Sequence, residues 1–315
     1  MSAIALLLAG SLLAGPTQDP PAPPAGDLLV PRGEGEVPLR VPRDETLTFR
    51  VRVDLGLLSA AVGEVTMTSA VRPYQESLLL TPGVEGAAAP RETGQFRIHA
   101  RGDYSLYSMD ATIDTRILPQ DWPHLAYRYV HRGSENRRRE ILVGTKDGRR
   151  QSSYRKDTKK GAPEGTRIWK DPRFRDVPAA TVDMLTALYL SRSLVCDDLR
   201  VLRFPLIDKD RLWQLRLTKG LRRRLETAGG TFDVVEILLE PSHYPGEKED
   251  EEKEEQFQGL FGIHGSIHLW ADRRTGIPVR IQGDLPIGPL TLGIDVELAS
   301  YAGTAPEFQP IVAAE

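Results

Sequence analysis

Cysteine is nearly absent from this chain of 315 residues, which contains only Cys196. A single cysteine cannot form an internal disulfide, and it excludes a structural zinc site built on several thiolates. Such scarcity is typical of proteins in an oxidising compartment, where a stray thiol is a liability. Cys196 follows Leu194 and Val195 at the end of a predicted helix, so we expect a buried apolar residue there rather than a reactive nucleophile.

An excess of positive charge is also missing. The formal net charge is −3, whereas nucleic-acid-binding domains usually show a clear basic excess. No nucleic-acid partner is therefore expected. Two arginine triplets, Arg137–Arg139 and Arg222–Arg224, lie among acidic residues or in polar turns. We expect both triplets to form solvated faces rather than phosphate sites.

The apolar run at the N-terminus, Ala3–Leu13, is shorter than the about 20 residues that a membrane-spanning helix needs. It suits the apolar core of an export signal, although no Lys or Arg precedes it and no Ala-x-Ala site follows it. We expect residues 1–15 to be a signal segment and the protein to be periplasmic or otherwise extracytoplasmic, peripheral to a membrane at most. A cytoplasmic protein with an apolar start is the alternative.

Catalytic and metal-binding motifs are missing as well. The chain has no Gly-x-Ser-x-Gly elbow for a nucleophile and no Gly-rich loop opening a helix for phosphate. His264 and His268 would lie about 13 Å apart on one strand, too far for one metal ion. Asp110, Asp114 and Glu140 could form a carboxylate pair only if their strands are neighbours. No enzymatic activity, metal or cofactor is therefore predicted.

The chain is rich, by contrast, in period-two alternation of apolar and polar residues. In 45–54 the residues Leu47, Phe49 and Val51 fall on one face, and the stretch 265–298 alternates over three further strands. About a dozen such segments with hairpin-length connections predict an all-β, mainly antiparallel fold. We expect a strongly curved sheet, a half-barrel or a barrel, because so many strands curl to protect their edges.

One segment changes the period and predicts a helix near 179–194, in which Val182, Leu185, Leu188 and Tyr189 recur at helical spacing. Pro178 suits the start of this helix, and Thr181 is the alternative capping residue. The rest of the chain divides by composition into a Pro/Gly-rich tether, a single β-rich domain and a tail. These are residues 16–40, 41–302 and 303–315. Within the domain, the polar stretch 159–178 and the charge run 247–255 predict mobile loops.

Four stretches resemble a bacterial exported family, number 3108 among the domains of unknown function. They are GLLSAAVGEVTM (56–67), SMDATIDTRILP (108–119), VDMLTALYLSRS (182–193) and HLWADRRTGIPVRIQGDLPIGPLTLGI (268–294). The resemblance covers about residues 45–300. It implies an extracytoplasmic β-rich protein and no established reaction, and it supplies no functional residues.

Aromatic residues suggest a binding surface. Tyr104, Tyr107, Tyr127 and Tyr129 fall in one region around Trp122, and such side chains combine apolar area with a polar tip. Ordinary sheet packing is the alternative explanation.

Leu290 and Leu292, beside the bend DLPIGP, are the candidates for lining an apolar cavity, whereas Val279 should be core on the same face as Ile277 and Ile281.

The leading hypothesis is a non-enzymatic β protein whose curved sheet binds an apolar or amphipathic, lipid-like ligand. A cell-envelope scaffold that binds other envelope proteins and has no ligand cavity is the alternative. A hydrolase with dispersed catalytic residues is the third hypothesis.

Overall fold

The computed structural model describes residues 42, 44–54, 59–74, 91–104, 107–118, 124–134, 136–146, 148–196, 200–247, 257, 259–287 and 290–303. These residues form fourteen strands: β1 (Glu45–Asp54), β2 (Ser59–Tyr74), β3 (Arg91–Tyr104), β4 (Tyr107–Ile117), β5 (His124–Gly133), β6 (Arg137–Lys146), β7 (Arg149–Lys156), β8 (Arg173–Asp176), β9 (Val201–Asp208), β10 (Arg211–Thr227), β11 (Gly230–His243), β12 (His264–Asp272), β13 (Pro278–Ile287) and β14 (Leu290–Ala302). The α-helix among them is α1 (Met184–Cys196), and short 3-10 turns lie at Glu164–Thr166 and Leu260–Gly262.

All fourteen strands join one antiparallel sheet, in the order β8-β7-β6-β5-β4-β3-β2-β1-β14-β13-β12-β11-β10-β9. The first and last strands, β1 and β14, pair at its centre, and hairpins extend outward on both sides. The sheet is strongly curled but not closed. The predicted all-β half-barrel is thus confirmed.

The predicted alternation sets the two faces of the sheet. In β1 the buried residues alternate with half-buried or exposed ones from Glu45 to Asp54, and Leu47 and Phe49 are fully buried. A bulge breaks this rule in β13. Trp270 pairs with Arg280 and Ala271 with Pro278, so Val279 has no partner on β12. Bulges re-aim side chains.

Val279 is buried, as predicted, but it does not share a cluster with Ile277 and Ile281. It packs instead in a separate cluster with Val234 and Trp270. The expectation that all three residues share one face is wrong, because the bulge shifts the alternation by one residue.

The helix exists where it was predicted, but it begins at Met184, later than the Pro178 start expected from sequence. Asp183 is the reason. Its carboxylate accepts hydrogen bonds from the Leu185 and Thr186 amides at 2.9 and 3.2 Å, which makes it the N-terminal cap. Just before it, Val182 forms a parallel bridge with Leu206, so the preceding segment is extended.

Helix α1 lies inside the curl of the sheet. It contacts β4 on one side and β9–β12 on the other. Its buried face carries Leu185, Leu188 and Tyr189 into the main core cluster, and the Tyr189 ring stacks on Phe96 with centroids 3.8 Å apart. Arg192 forms a fully buried, bidentate ion pair with Glu45 of β1, at 2.7 and 2.9 Å. The helix therefore holds both halves of the sheet together.

The segment between β8 and α1 spans the open side of the half-barrel. The Val177 amide donates to the Arg150 carbonyl of β7, and Val182 exchanges two hydrogen bonds with the backbone of β9. A second core cluster joins β6 and β7 to β9 and β10 across the same seam. Its members are Ile141, Val143, Tyr154, Val177, Ile207 and Leu212.

The polar stretch 159–178 is not the mobile loop expected from its composition. It contains β8, which pairs with β7, and Trp169, whose ring lies 4.0 Å from the Arg138 guanidinium and 4.5 Å from that of Arg155. These cation–π contacts hold the stretch on the sheet. Residues 1–40, most of the charge run 247–255 and residues 304–315 lie outside the described residues.

Candidate ligand-binding cleft

A cleft of about 530 Å³ opens where two hairpin turns and the end of β14 meet, a volume within the range of small-molecule sites. We call it the turn cleft. Its lining residues are Gly229, Gly230, Thr231, Phe232, Asp233, Asp272, Arg273, Arg274, Thr275, Ile277 and Tyr301.

The turn between β12 and β13 forms one wall and is fixed by Asp272. Its carboxylate accepts hydrogen bonds from the amide and the hydroxyl of Thr275, at 2.9 and 2.7 Å. An Asp side chain bonded in this way builds a turn without help from the rest of the fold. Gly276 follows with φ +71°, and a Cβ there would lie 3.2 Å from the Cβ of Arg192. The turn is thus seated directly on helix α1.

The turn between β10 and β11 forms the second wall. The Gly229 amide donates to the Leu298 carbonyl of β14 at 3.1 Å, and the Arg273 amide donates to the Asp233 carbonyl at 2.8 Å. Gly230 has φ +131°, a conformation open to glycine and strained for other residues. These contacts lock both turns and β14 to one another, so the cleft is preorganised.

Two aromatic rings give the cleft an apolar side. Phe232 and Tyr301 meet edge to face, with centroids 6.2 Å apart, and Ile277 lies beneath as part of the main core. Tyr301 is 47 % exposed. Such exposure is unusual for a ring at the end of a strand, and it leaves a ring face available to an apolar group.

The lining also carries charged residues. Arg273 and Arg274 are exposed, and neither forms an ion pair within the described part of the chain. Of the two carboxylates in the lining, that of Asp272 is engaged by Thr275, whereas Asp233 is exposed. The cleft therefore combines an aromatic surface with two arginines that can bind an anionic group.

The structure does not place the six residues predicted to bind ligand in this cleft. Tyr104 and Tyr107 pair at the hairpin end of β3 and β4, and Leu292 pairs with Leu285 on β13. Tyr127 and Tyr129 lie on β5, which four other strands separate from β14. The side chains of Tyr104, Tyr107 and Leu290, and all of Trp122, lie outside the described residues. Ligand binding by these six residues stays a prediction.

Tyr129 and Tyr127 have different surroundings. The Tyr129 ring lies between two cations, 4.6 Å from the Arg139 guanidinium and 5.5 Å from that of Arg137. Tyr127 packs against both large core clusters. Its burial raises the pKa of the Tyr127 hydroxyl, although nearby Arg139 acts in the opposite direction.

The two arginine triplets also differ from each other. Arg137–Arg139 are half-buried, because their guanidinium groups lie over Tyr129 and Trp169. The expectation of a solvated face is wrong for them. Arg222–Arg224 are exposed, as expected.

The candidate carboxylates do not form a catalytic pair. Strand β5 separates Asp110 and Asp114 on β4 from Glu140 on β6. Glu140 is almost fully buried between Arg128 and Arg155, with an N···O distance of 2.6 Å to each. Such a carboxylate crosslinks three strands and is unavailable as a base.

Asp110 and Asp114 are also engaged, Asp110 by His99 at 2.9 Å and Asp114 by Arg97 at 3.0 Å. Among the described residues, no group of three or more His, Cys, Asp or Glu side chains could hold a metal ion. In the same part of the chain, no helix has both the length and the apolar character to cross a membrane.

Sequence reasoning missed the turn cleft because its residues come from three distant segments. The local signals were present: the Asp-Arg-Arg-Thr-Gly of 272–276 and the Gly-Gly of 229–230 are turn signatures. The two adjacent arginines within the turn signature of 272–276 are a further sequence signal, because they could bind an anionic group. Only the fold shows that these turns meet beside Tyr301.

Comparisons with known proteins give a family and two distant structures. The model of a family described as "Protein of unknown function (DUF3108)" matches residues 89–295, about two thirds of the chain. Three of the four stretches that suggested this resemblance fall inside the match. A search of curated proteins found no significant match.

A β-barrel-like protein of the DUF1849 family from Brucella abortus is 13% identical, covering 85% of this chain and 100% of that one, with a TM-score of 0.46. A candidate lipoprotein from Parabacteroides distasonis is 12% identical, covering 84% and 97%, with a TM-score of 0.28. At these scores the two structures add nothing to the assignment of fold or function.

Proposed function

We propose that this chain, which belongs to the DUF3108 family of proteins without an assigned function, is a non-enzymatic extracytoplasmic β protein. In this proposal it binds an amphipathic, lipid-like ligand. One observation carries the proposal. In the turn cleft, half-buried Phe232 and exposed Tyr301 line the same preorganised space of about 530 Å³ as two exposed arginines. Polar groups that fix the orientation of a ligand are typical of binding sites, and in this cleft they outnumber the apolar residues.

In this proposal the ligand contacts both the aromatic residues and the arginines of the cleft. Its apolar part packs on Phe232 and Tyr301, which are held edge to face. Its anionic group, a carboxylate or phosphate, accepts charge-assisted hydrogen bonds from Arg273 and Arg274. The turn bonds of Asp272 keep both arginines at the rim before any ligand arrives, which lowers the entropic cost of binding.

The sequence supports an extracytoplasmic location. The apolar run Ala3–Leu13, the Pro-rich stretch after it and the single cysteine all favour export. N-terminal sequencing of protein from the envelope fraction should give a start within or before 16–40. An intact Met1 or Ser2 terminus on cytoplasmic protein would contradict export.

The engaged carboxylates support a binding protein over a hydrolase. A general base must reach its proton within hydrogen-bond distance, yet Glu140 is enclosed by two arginines and Asp114 by two more. These residues are better explained as structural crosslinks of β3–β7.

Titration with the fluorescent anion 1-anilinonaphthalene-8-sulfonate tests the proposal, because this probe has an aromatic body and a sulfonate. The cleft variant is Arg273→Gln/Arg274→Gln/Tyr301→Ser. The control variant, Arg50→Gln/Arg52→Gln/Phe174→Ser, removes two exposed arginines and a partly exposed ring elsewhere. We expect the cleft variant to bind the probe at least about tenfold more weakly, as the loss of one charge-assisted bond suffices for that, and the control variant to bind like the wild type.

Two results would change the account. If the cleft variant binds like the wild type and Tyr129→Ala weakens binding instead, the ligand lies at the Tyr127–Tyr129 surface predicted from sequence. If the wild type binds no probe, ligand binding is refuted and the envelope scaffold becomes the better hypothesis.

A further inference from the structure

A bulge in β10 exposes an apolar residue among cations. Lys219 pairs with Ile237 and Arg222 with Val235, so Gly220 and Leu221 together face Glu236 alone. Leu221 is 78 % exposed. The bulge and its flank, residues 219–224 with the sequence Lys-Gly-Leu-Arg-Arg-Arg, form what we call the bulge patch.

The three arginines of the bulge patch are not neutralised by ion pairs with other described residues. Arg222, Arg223 and Arg224 are exposed, and within the described residues none of them has a carboxylate at ion-pair distance. Arg223 instead stacks on Trp270, with its guanidinium carbon 4.1 Å from the ring centroid. The nearest carboxylate across the bulge, Glu236, is bound by His268 at 2.8 Å. The three arginines therefore present exposed positive charge at this end of β10.

The arginines of the turn cleft extend this surface. In the sheet register Arg223 of β10 pairs with Val234 of β11, and Val234 pairs with Asp272 of β12. Arg273 comes directly after Asp272, so it lies two strand spacings, about 10 Å, from Arg223. The exposed cations of β10 and of the β12–β13 turn thus lie on one end of the molecule. Asp233, which pairs with Arg224 in the register, and Glu226 are exposed acids at the same end.

We propose that the bulge patch docks this protein on an anionic lipid bilayer. An exposed leucine followed by three exposed arginines matches both layers of such a surface. The arginines bind headgroup phosphates, and the leucine enters the boundary with the acyl chains. Docking in this orientation brings the mouth of the turn cleft to the membrane. The inference goes beyond the proposed function and does not depend on the cleft holding a ligand.

Co-sedimentation of the mature protein with lipid vesicles tests the docking. Vesicles of phosphatidylcholine mixed with phosphatidylglycerol should bind the wild type, binding should weaken as salt rises, and phosphatidylcholine alone should bind little. Arg222→Gln/Arg223→Gln/Arg224→Gln should weaken binding about a hundredfold, since each cation near an anionic surface contributes about fivefold. Leu221→Ser should weaken it severalfold and leave the salt dependence unchanged.

Two further variants keep the result interpretable. Arg222→Lys/Arg223→Lys/Arg224→Lys retains the charge and should retain most binding, even if the stacking on Trp270 is weakened. Arg50→Gln/Arg52→Gln/Arg149→Gln removes three exposed arginines elsewhere and should bind like the wild type.

Three outcomes would overturn the docking: no vesicle binding by the wild type, equal binding by the glutamine variant, or binding of soluble polyglutamate in place of vesicles, which would indicate an acidic protein partner. Fluorescent-probe binding measured on the same samples separates this test from that of the cleft. A glutamine variant that loses vesicles and keeps the probe supports both proposals, whereas a wild type that binds probe but no vesicles refutes only the docking.

Discussion

The ion pair between Arg192 and Glu45 shows how one residue of α1 determines the stability of the fold. Both side chains are almost completely buried, at 1 % and 2 % exposure. The bidentate geometry offsets the free-energy cost of removing both charged groups from water. Arg192 also lies over the Tyr189 ring at 4.5 Å and packs under Gly276, so the pair supports both the core and the wall of the turn cleft.

Removal of one member of this pair should be severe. Arg192→Met leaves the Glu45 carboxylate buried without its partner, and the free energy of unfolding should fall by about 3–5 kcal/mol. Glu45→Gln/Arg192→Met removes both charges and should recover part of that loss. Urea denaturation of the two variants and the wild type measures both effects. A single variant as stable as the wild type would show that water reaches Glu45.

At the scale of elements, the hairpin of β13 and β14 separates core positions from candidate ligand positions. Ile281 of β13 is 1 % exposed and belongs to the main cluster, whereas Leu292 of β14 is half-buried. The difference in burial predicts that truncation to alanine lowers the free energy of unfolding more at Ile281 than at Leu292.

Ile281→Ala should lower the free energy of unfolding by about 2–5 kcal/mol, as other large-to-small core changes do. Leu292→Ala should cost clearly less, because less apolar area leaves water when the strand folds. Denaturant unfolding gives the first comparison, and probe titration of Leu292→Ala tests its predicted role in ligand binding. Equal destabilisation by both variants, with unchanged probe binding, would make Leu292 a core residue.

The charge run is a second element with a defined prediction. Residues 247–255 carry seven acidic and two basic side chains and offer no apolar area to offset the entropy of ordering them. The described ion pair of this run, between Glu247 and Arg175, is partly exposed and is worth at most about 1 kcal/mol.

Replacement of 247–255 by a short Gly/Ser link should therefore shift the melting temperature by less than about 4 °C. Calorimetry of the replaced and wild-type proteins measures this. A larger fall would mean that the run packs on a basic surface, such as one containing Arg222–Arg224.

How far the sequence predicts these elements depends on the range of the interactions. Alternation along one strand is local, so the buried face of β1 and the β-rich class followed directly from residues such as Leu47 and Phe49. The start of α1 did not follow from local sequence. Asp183 caps the helix, and its carboxylate also accepts a hydrogen bond from Thr115 of distant β4 at 3.1 Å. The bulge at Val279 likewise depends on pairing with β12.

For the whole molecule, the long-range pairing of β1 with β14 decides where a site can form. This pairing brings Tyr301 to the end of the sheet, and the β10–β11 hairpin crosses to the Leu298 carbonyl. Three segments that together span about seventy residues of sequence then share one cleft. No local pattern contains that proximity, which is why sequence alone suggested only the aromatic cluster of residues 104–129 and the pair Leu290 and Leu292.

Native mass spectrometry of the protein purified from its own cell envelope tests the central claim, that the turn cleft holds an amphipathic ligand. The wild type and the control variant should each carry a co-purified adduct with the mass of a lipid or fatty acid. The cleft variant, Arg273→Gln/Arg274→Gln/Tyr301→Ser, should lack it at the same protein concentration. A wild type without any adduct, or an adduct carried equally by the cleft variant, would contradict the account.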